Sequence, residues 1–164
     1  MKTADKVLIG IVIGIGLLII AALVVTLVKP EATYRAEDTP EGVAYNYLLA
    51  LQMGEYERAY GYLYPTLDGY PASLTQFEMD IHSNSWKFRL NQEVTISVEE
   101  ATINGRDASV AVYESRFQGG DLFNSGQSIN AFDMELRRDV NFQWKIVYSP
   151  YYFARCWTDE RGCK

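Results

Sequence analysis

Two residues with side chains suited to acid–base chemistry, Asp80 and His82, lie close together in this sequence. A carboxylate can orient an imidazole that exchanges protons with a substrate, which is a common form of general acid–base catalysis. Residues two positions apart on a helix point to different faces, however, so this spacing argues against a catalytic pair. A histidine near the end of a helix, where the helix dipole favours its charge, is predicted instead to face solvent.

No other pattern in the sequence is typical of a catalytic or cofactor site. The chain has one histidine and two cysteines, and it lacks a glycine-rich phosphate loop and the HExxH spacing of a metal site. We therefore predict no catalytic residue, no metal ion and no cofactor, and we expect a non-catalytic protein more readily than an enzyme.

Tyrosine is the most unusual component of the chain. There are 12 tyrosines, and many lie in the part that is predicted to be helical. Tyrosine can line a small-molecule site, because its apolar ring carries a hydroxyl group that orients a ligand, although core packing explains most of these residues equally well. If the domain has a pocket, the inward positions of the predicted elements give its lining: Tyr60, Tyr64, Trp86, Phe132 and Trp144.

The two cysteines, Cys156 and Cys163, lie near the C-terminus. Zinc needs about four ligands, and the single histidine is far away in sequence, so a metal site is not predicted here. In an oxidising compartment the pair predicts a disulfide bond. Closing this short loop would stabilise the fold by about 2–3 kcal/mol in the chain-entropy description.

One apolar stretch predicts that the protein resides in a membrane. Residues 7–28 form 22 consecutive positions without a charge, flanked by Lys6 and Lys29. As a helix they would reach about 33 Å, enough to cross a hydrocarbon core of about 30 Å. A cleaved signal peptide would have a shorter apolar core and a cleavage site of small residues, whereas this stretch ends at Val28-Lys29-Pro30. We therefore predict a retained transmembrane helix.

The charges around this helix predict its orientation. Lys2, Lys6 and the terminal amine precede it, whereas acidic residues outnumber basic ones in the stretch that follows. By the positive-inside tendency, residues 1–6 are cytoplasmic and the C-terminal part lies outside a cell membrane that the chain crosses once. Gly10 and Gly14 form one GxxxG pattern, through which two helices could pack as a homodimer, although glycine is also common in isolated transmembrane helices.

The chain beyond the apolar stretch is acidic. From Pro30 onward it has 12 lysine and arginine residues against 20 acidic ones, a net charge of about −8. This balance excludes nucleic acid as a partner and argues against an anionic lipid surface. The length predicts one domain over residues 39–155, joined to the membrane helix by a tether at 29–38 and followed by a tail at 156–164.

Helical signals come first in this domain. Thr39, followed by proline, is typical of the cap of a helix that is predicted to end near Met53, before Gly54. A second helix is predicted over residues 55–63. A third is predicted over 74–82, because the serine that precedes it and the glutamine three positions later form a capping box.

Strand signals follow the helices, because the apolar period changes from about 3.6 to 2. The alternating runs are Trp86–Leu90, Val94–Val98, Ala101–Ile103, Val110–Phe117, Phe132–Leu136 and Phe142–Tyr148. Asn104-Gly105 is typical of a hairpin turn, and Glu99-Glu100 could mark a bulge. The inward positions are apolar in this interpretation, so no buried acid is expected on the strands. Three helices followed by antiparallel strands predict an α+β fold.

The order of these elements resembles the nuclear transport factor 2-like superfamily, also called cystatin-like or SnoaL-like. Residues 55–60 are similar to the start of the second helix in that superfamily, and residues 132–148 resemble its last hairpin. The likeness covers about residues 39–153. It implies a curved sheet that wraps around the helices to form a cone with an internal pocket, in which the enzymes of the superfamily place Asp, His or Tyr as general acids or bases.

Three hypotheses on function follow. The first is a membrane-anchored extracytoplasmic module, non-catalytic, that holds a small apolar ligand or a protein partner. The second is an isomerase, dehydratase or cyclase that uses the cone pocket, which a buried titratable side chain would favour. The third is a domain that assembles with copies of itself through the sheet face, which an exposed apolar patch on that face would favour.

Overall fold

The computed structural model describes residues 3–27, 32–89, 94–117, 119 and 126–163. The chain divides into two compact units, residues 1–33 and 34–164. The first unit contains helix α1, Thr3–Leu27, over most of the stretch that was predicted to be helical. Its side chains are described from residue 10 to residue 23. The described part of the chain holds no helix that is both long and apolar enough to span a membrane.

The second unit begins with helices close to the predicted positions: α2, Pro40–Met53; α3, Tyr56–Gly61; and α4, Leu74–Ser83. The predicted caps are confirmed, since the Thr39 hydroxyl accepts a hydrogen bond from the Gly42 amide and the Ser73 hydroxyl from the Gln76 amide. Gly54 ends α2 with φ 72°, a left-handed conformation that glycine adopts without steric cost.

The predicted strand from Trp86 to Leu90 is wrong. Ser85–Phe88 form a short helix, α5, and Leu90 lies outside the described residues. The alternation of apolar residues over so few positions has a second explanation. On a helix, residues two apart point to different faces, so Phe88 packs in the core while Trp86 is 70% exposed.

An antiparallel sheet of five strands follows: β1, Thr95–Val98; β2, Thr102–Asn104; β3, Asp107–Phe117; β4, Gln127–Arg138; and β5, Trp144–Tyr148. Its order is β1-β3-β4-β5, and β2 also pairs with β3. The predicted bulge is confirmed, because Val98 pairs with Val112 and Thr102 with Ser109, which leaves one extra residue before β2. The predicted hairpin is confirmed as well, but its turn residues are Gly105, with φ 64°, and Arg106, because Asn104 pairs with Asp107.

The core lies between the inner face of the sheet and the helices, so the predicted α+β class is confirmed. Its buried residues include Tyr47, Leu48, Phe77, Ile81, Val110, Val112, Met134, Leu136 and Ile146. The C-terminal segment adds Tyr152, Phe153 and Trp157, the last of these from a 3₁₀ turn at Arg155–Thr158.

The C-terminal tail is closed by the predicted disulfide between Cys156 and Cys163, whose Cα atoms are 5.0 Å apart. The tail packs tightly against the loop that precedes α4. The Gly69 amide donates a hydrogen bond to the Trp157 carbonyl at 3.0 Å, and a Cβ atom at Gly69 would come within 2.0 Å of the Cys156 carbonyl oxygen.

Residues 34–37, which were predicted to belong to the tether at 29–38, contact the helices. The Asn46 side chain accepts a hydrogen bond from the Arg35 amide at 2.7 Å and donates one to the Arg35 carbonyl at 2.9 Å. Glu37 pairs with Arg58 at 3.1 Å and accepts a hydrogen bond from the Tyr62 hydroxyl at 2.6 Å. This segment is therefore attached to the folded unit by specific bonds.

Candidate functional site

The inner face of the sheet carries one fully buried carboxylate, Glu114 on β3, among the side chains that the structure describes. This corrects the expectation that the strands would bury no acid. The signal was present in the sequence, because Glu114 follows Val110 and Val112 at the spacing of two that places all three on one face. An isolated buried charge costs several kcal/mol, so such a group needs partners.

Two guanidinium groups supply those partners. Arg89 and Arg116 both donate to the same carboxylate oxygen, Oε1 of Glu114, the second of them at 2.5 Å. Arg89 is itself buried, and its guanidinium group lies 4.2 Å from the centre of the Tyr151 ring. Glu114 is thereby held in one orientation, with Oε1 occupied by the two arginines.

Tyr152 lies beside this carboxylate. Its carbonyl accepts a hydrogen bond from the buried Tyr47 hydroxyl at 2.5 Å, and its amide donates to the Lys87 carbonyl at 3.2 Å. Burial, followed by the negative charge of Glu114, raises the pKa of Tyr152 well above its ordinary value. The hydroxyl therefore stays protonated at neutral pH and can donate a hydrogen bond.

Three polar atoms in this region have no hydrogen bond of ordinary geometry among the described residues: Oε2 of Glu114, the Tyr152 hydroxyl and Nδ2 of Asn130. The Tyr152 hydroxyl nevertheless lies close enough to Glu114 for the two side chains to interact, and this interaction also raises the pKa of Tyr152. Asn130 is the direct cross-strand partner of Glu114 in the pairing of β3 with β4. Opposed residues on antiparallel strands lie on the same face, with Cβ atoms about 4.5–5.5 Å apart. We refer to Glu114, Arg89, Arg116, Asn130 and Tyr152 as the Glu114 cluster.

The backbone around this cluster is strained. Arg89 and Tyr152 have φ angles of 53° and 57°, and they are two of the three non-glycine residues with positive φ in the described part of the chain. Such a conformation costs about 1–3 kcal/mol and persists where the surrounding structure imposes it, often at functional sites. Here it places both side chains against Glu114. Arg89 comes from the segment before β1, and Tyr152 comes from the segment after β5.

Apolar side chains border the cluster. Ile96 on β1 is the cross-strand partner of Glu114 on the side away from Asn130. The Phe132 ring lies 5.2 Å from the Tyr151 ring and 6.1 Å from the Tyr152 ring, centre to centre. A few polar atoms without partners, set in an apolar and aromatic surrounding, are typical of a small-molecule site.

The five residues predicted to line a pocket are not brought together. Phe132 adjoins the Glu114 cluster, whereas Trp144 is buried near the other end of β4, with the Arg138 guanidinium group 4.6 Å from its ring centre. Tyr60 donates its hydroxyl to the Pro71 carbonyl at 2.6 Å, and the Tyr64 amide bonds the Ile146 carbonyl. Trp86 is largely exposed. Their contact with a ligand stays a prediction.

Asp80 and His82 point to different faces of α4, as predicted from their spacing. Asp80 is buried and accepts hydrogen bonds from the Trp157 indole at 2.8 Å and from Gln76 at 2.6 Å. His82 is exposed, and its ring meets the edge of the Tyr56 ring at 5.8 Å. The described residues contain no group of three or more side chains suited to hold a metal ion.

No protein-family model matches the chain, and no curated protein matches it. Among solved structures, it is similar to a candidate ketosteroid isomerase from Shewanella frigidimarina, with 23% identity over 70% of this chain and 95% of that one and a TM-score of 0.48. It is also similar to the helical cell shape determining protein Pgp2 from Campylobacter jejuni, with 10% identity and a TM-score of 0.42. The match covers 66% of this chain and 38% of that one.

Proposed function

We propose that this protein is a membrane-anchored, extracytoplasmic binding module, and that its folded unit holds a small molecule against the Glu114 cluster. The ligand site is proposed from three buried polar atoms that have no hydrogen bond of ordinary geometry among the described residues: Oε2 of Glu114, Nδ2 of Asn130 and the hydroxyl of Tyr152, which lies beside the Glu114 carboxylate. Leaving such groups unpaired costs about 1–3 kcal/mol each, which a ligand with matching polar atoms would recover.

The apolar stretch at residues 7–28 supports the anchor. This support comes from the sequence, which contains no charged residue between Lys6 and Lys29. The charges that precede and follow the stretch favour a cytoplasmic N-terminus and a folded unit outside the cell membrane.

The disulfide between Cys156 and Cys163 supports the same compartment. Disulfides persist in oxidising surroundings outside the cytoplasm and are rare where thiols are kept reduced. The two lines of support are independent, because one rests on charges around residues 7–28 and the other on the C-terminal tail.

The element order supports a nuclear transport factor 2-like cone as the finer description of the fold. Helices α2 to α4 precede the sheet, and β3 and β4 form its long central hairpin. In a cone of this kind the inner face of the sheet is the pocket wall, and the Glu114 cluster lies on that face.

The three unpaired atoms define the chemistry of the ligand. Oε2 of Glu114 requires a hydrogen-bond donor, Nδ2 of Asn130 requires an acceptor, and the Tyr152 hydroxyl can serve as either. A hydroxyl or primary amide group offers both functions within one group. The neighbouring Ile96 and Phe132 would contact an apolar portion of the same molecule.

A second candidate function is general acid–base catalysis, which the same geometry favours. A carboxylate whose free oxygen lies beside a protonated tyrosine could remove a proton from a bound substrate while the tyrosine stabilises the developing charge. The class of reaction would be isomerisation, dehydration or cyclisation. In this case a bound ligand would exchange its acidic C–H protons with solvent deuterium, and Glu114→Gln would abolish that exchange.

Self-assembly through the sheet face receives no support from the described residues. The outward positions on β1, β3 and β4 are mainly small or polar: Thr95, Ser97, Ser109, Ala111, Tyr113, Ala131, Asp133, Glu135 and Arg137. The exception among the described side chains is Ile129 on β4, which is 65% exposed. The side chains described on these three strands therefore do not form the wide apolar patch that the hypothesis required.

A thermal-shift screen on the full chain in detergent tests the binding proposal. Small alcohols and amides with an apolar portion would be screened, and each compound that stabilises the wild type would be titrated against variants. Losing a hydrogen bond to a charged group costs about 1.5–3 kcal/mol, so Glu114→Gln should weaken binding by about tenfold or more.

Two further variants make the result specific. Asn130→Leu leaves the bonds between the arginines and Glu114 in place and should also weaken binding, whereas Glu135→Gln alters an exposed carboxylate on the outward face and should leave it unchanged. If the wild type, Glu114→Gln and Asn130→Leu bound every stabilising compound with equal affinity, the proposed site would be disproved.

A further inference from the structure

The turn between β4 and β5 exposes two apolar side chains to solvent. Val140 is 85% exposed and Phe142 is 73% exposed, in a turn of five residues, Asp139 to Gln143. We call these residues the hairpin tip. Single exposed apolar residues are common, but a valine and a phenylalanine displayed together at the end of a hairpin suggest contact with an apolar phase.

The hairpin tip is held in shape by its own bonds. Oδ1 of Asp139 accepts hydrogen bonds from the amides of Asn141 at 2.8 Å and Gln143 at 2.9 Å, and the Asp139 amide donates to the Gln143 carbonyl at 2.9 Å. Phe142 has φ 61°, a conformation that is unfavourable for a residue with a side chain. The fold thus maintains a strained backbone at the position that points an aromatic ring into solvent.

Four basic residues lie at the base of the hairpin tip. Arg106 and Lys145 bond backbone carbonyls, whereas Arg137 pairs with a carboxylate and Arg138 packs on the Trp144 ring. Residues 105–107 and 137–145, which lie at the same end of the sheet, contain four basic and two acidic residues. Both carboxylates are engaged: that of Asp139 bonds backbone amides, and that of Asp107 pairs with Arg137 at 2.6 Å. Arg106 donates to the Asp139 carbonyl at 3.1 Å, which places its guanidinium group at the base of the tip.

The chain enters the folded unit at this same end. Lys145, at the start of β5, donates to the Gly61 carbonyl at 2.7 Å. Glu37, in the segment that follows the apolar helix in sequence, lies near enough to Lys145 to respond to its charge. A hydrogen bond from Tyr62 lowers the pKa of Glu37, with smaller contributions from Arg58 and Lys145, against the opposing effect of burial.

We propose that the hairpin tip is a second membrane contact, in which Val140 and Phe142 enter the interfacial region of a phospholipid bilayer while the surrounding basic groups contact lipid phosphates. The inference rests on the proposed anchoring through residues 7–28. Apolar side chains at a rigid tip with basic residues around them combine the two attractions that bind proteins to bilayer surfaces.

The net charge of about −8 beyond Pro30 predicts that the domain as a whole is repelled by an anionic surface. The charge near the hairpin tip has the opposite sign. Charges more than about 10 Å apart are largely screened at physiological ionic strength, so a bilayer in contact with the tip responds mainly to the nearby residues. Residues 105–107 and 137–145 carry four basic and two acidic side chains, and a small positive excess is left when Glu37, which lies near Lys145, is included.

Site-directed fluorescence on the full chain in liposomes of phosphatidylcholine and phosphatidylglycerol tests the proposal. An environment-sensitive fluorophore would be attached at Phe142→Cys or Val140→Cys under non-reducing conditions, which keep Cys156 and Cys163 bonded. The matched control is Ile129→Cys, an apolar position that is 65% exposed on β4, ten residues before the first residue of the hairpin tip. Lipids that carry a quencher in their upper acyl chain would report contact.

The proposal expects a blue-shifted emission and strong quenching at positions 140 and 142, with neither effect at position 129. Equal quenching at all three positions, or none at any of them in liposomes that retain the chain, would overturn it. Flotation of the liposomes separates this failure from failure of the anchor: a chain that does not float with the lipid disproves the anchoring at residues 7–28 and the second contact together.

Discussion

The indole nitrogen of Trp157 donates a hydrogen bond to Oδ2 of Asp80 at 2.8 Å, which joins the C-terminal turn to helix α4 across 77 residues of sequence. Both side chains are buried, and the Trp157 ring is stacked on Phe77 with its centre 5.2 Å away. The tail is thus an integral part of the core, and the disulfide adjoins this contact.

Replacing Asp80 should destabilise the folded unit. Asp80→Ala leaves the buried indole N–H without an acceptor and removes the acceptor of Gln76, so we expect a loss of about 1–3 kcal/mol. Asp80→Asn keeps one acceptor oxygen and should lose less. Thermal unfolding of the full chain in detergent, followed by near-ultraviolet circular dichroism, measures both. The control is Asp133→Ala on the exposed face of β4, and an equal loss there would contradict the assignment.

Removing one partner of the buried ion pair should cost far more stability than removing one partner of an exposed pair. Glu114→Leu removes the partner of two arginines, one of them buried, and should cost about 3–5 kcal/mol. Asp107→Ala breaks the exposed pair with Arg137 and should cost at most about 1 kcal/mol. The double variant Glu114→Leu with Arg89→Met should recover part of the loss, because no buried charge is then left opposite the leucine. Absence of recovery would show that the two residues act independently.

The sequence predicts the elements well where a periodic pattern extends over many residues. The alternation in Phe132, Met134 and Leu136 correctly places these side chains in the core. The pattern around Trp86 is too short to distinguish a strand from a helical turn, and the structure shows the helix. Both outcomes depend on how many apolar positions repeat with the same period.

The candidate site is only partly encoded in local patterns. The strand period that places Val110 and Val112 in the core also places Glu114 there, so the buried acid could have been predicted. Its partners could not, because Arg89 and Tyr152 reach it from distant segments whose left-handed backbone is imposed by tertiary contacts. Pairing of this kind depends on the packed structure rather than on any spacing in the sequence.

The pH dependence of stability should include a contribution from Glu37. The hydrogen bond from Tyr62 lowers the pKa of Glu37 in the folded state, with help from the Arg58 guanidinium group and against burial. A lowered pKa stabilises the fold above the unfolded value of about 4.5 and loses this contribution as the pH falls through the folded value. Because the pair is largely exposed, we expect less than about 1 kcal/mol.

Chemical unfolding of the full chain between pH 7 and pH 3 measures this contribution. Glu37→Gln should unfold with a shallower pH dependence than the wild type in the acidic range. Tyr62→Phe removes the hydroxyl that bonds Glu37 but keeps the ring, so it should reproduce part of that change. Parallel pH profiles for the wild type and both variants would contradict the role of this contact.

Reduction of the disulfide should lower the stability of the folded unit. The bond between Cys156 and Cys163 closes a short loop, for which the chain-entropy description gives about 2–3 kcal/mol. Melting curves with and without a membrane-permeant reductant should therefore differ for the wild type. The double variant Cys156→Ser, Cys163→Ser should melt at the lower temperature in both conditions, and a reductant effect on that variant would point to a different cause.

Gly69 should be intolerant of any side chain, because the tail packs directly on its backbone. A Cβ atom there would lie 2.0 Å from the Cys156 carbonyl oxygen and 2.5 Å from that of Asp159, and neither backbone oxygen can move without shifting the disulfide loop. We expect Gly69→Ala to cost about 1–3 kcal/mol, the usual range for overpacking. Gly61→Ala is the matched control, since a Cβ at that helical position meets no atom within 4 Å and alanine favours the helix. Melting temperatures should therefore fall for Gly69→Ala and stay level or rise for Gly61→Ala, and a similar fall in both would show that loss of glycine, rather than contact with the tail, is the cause.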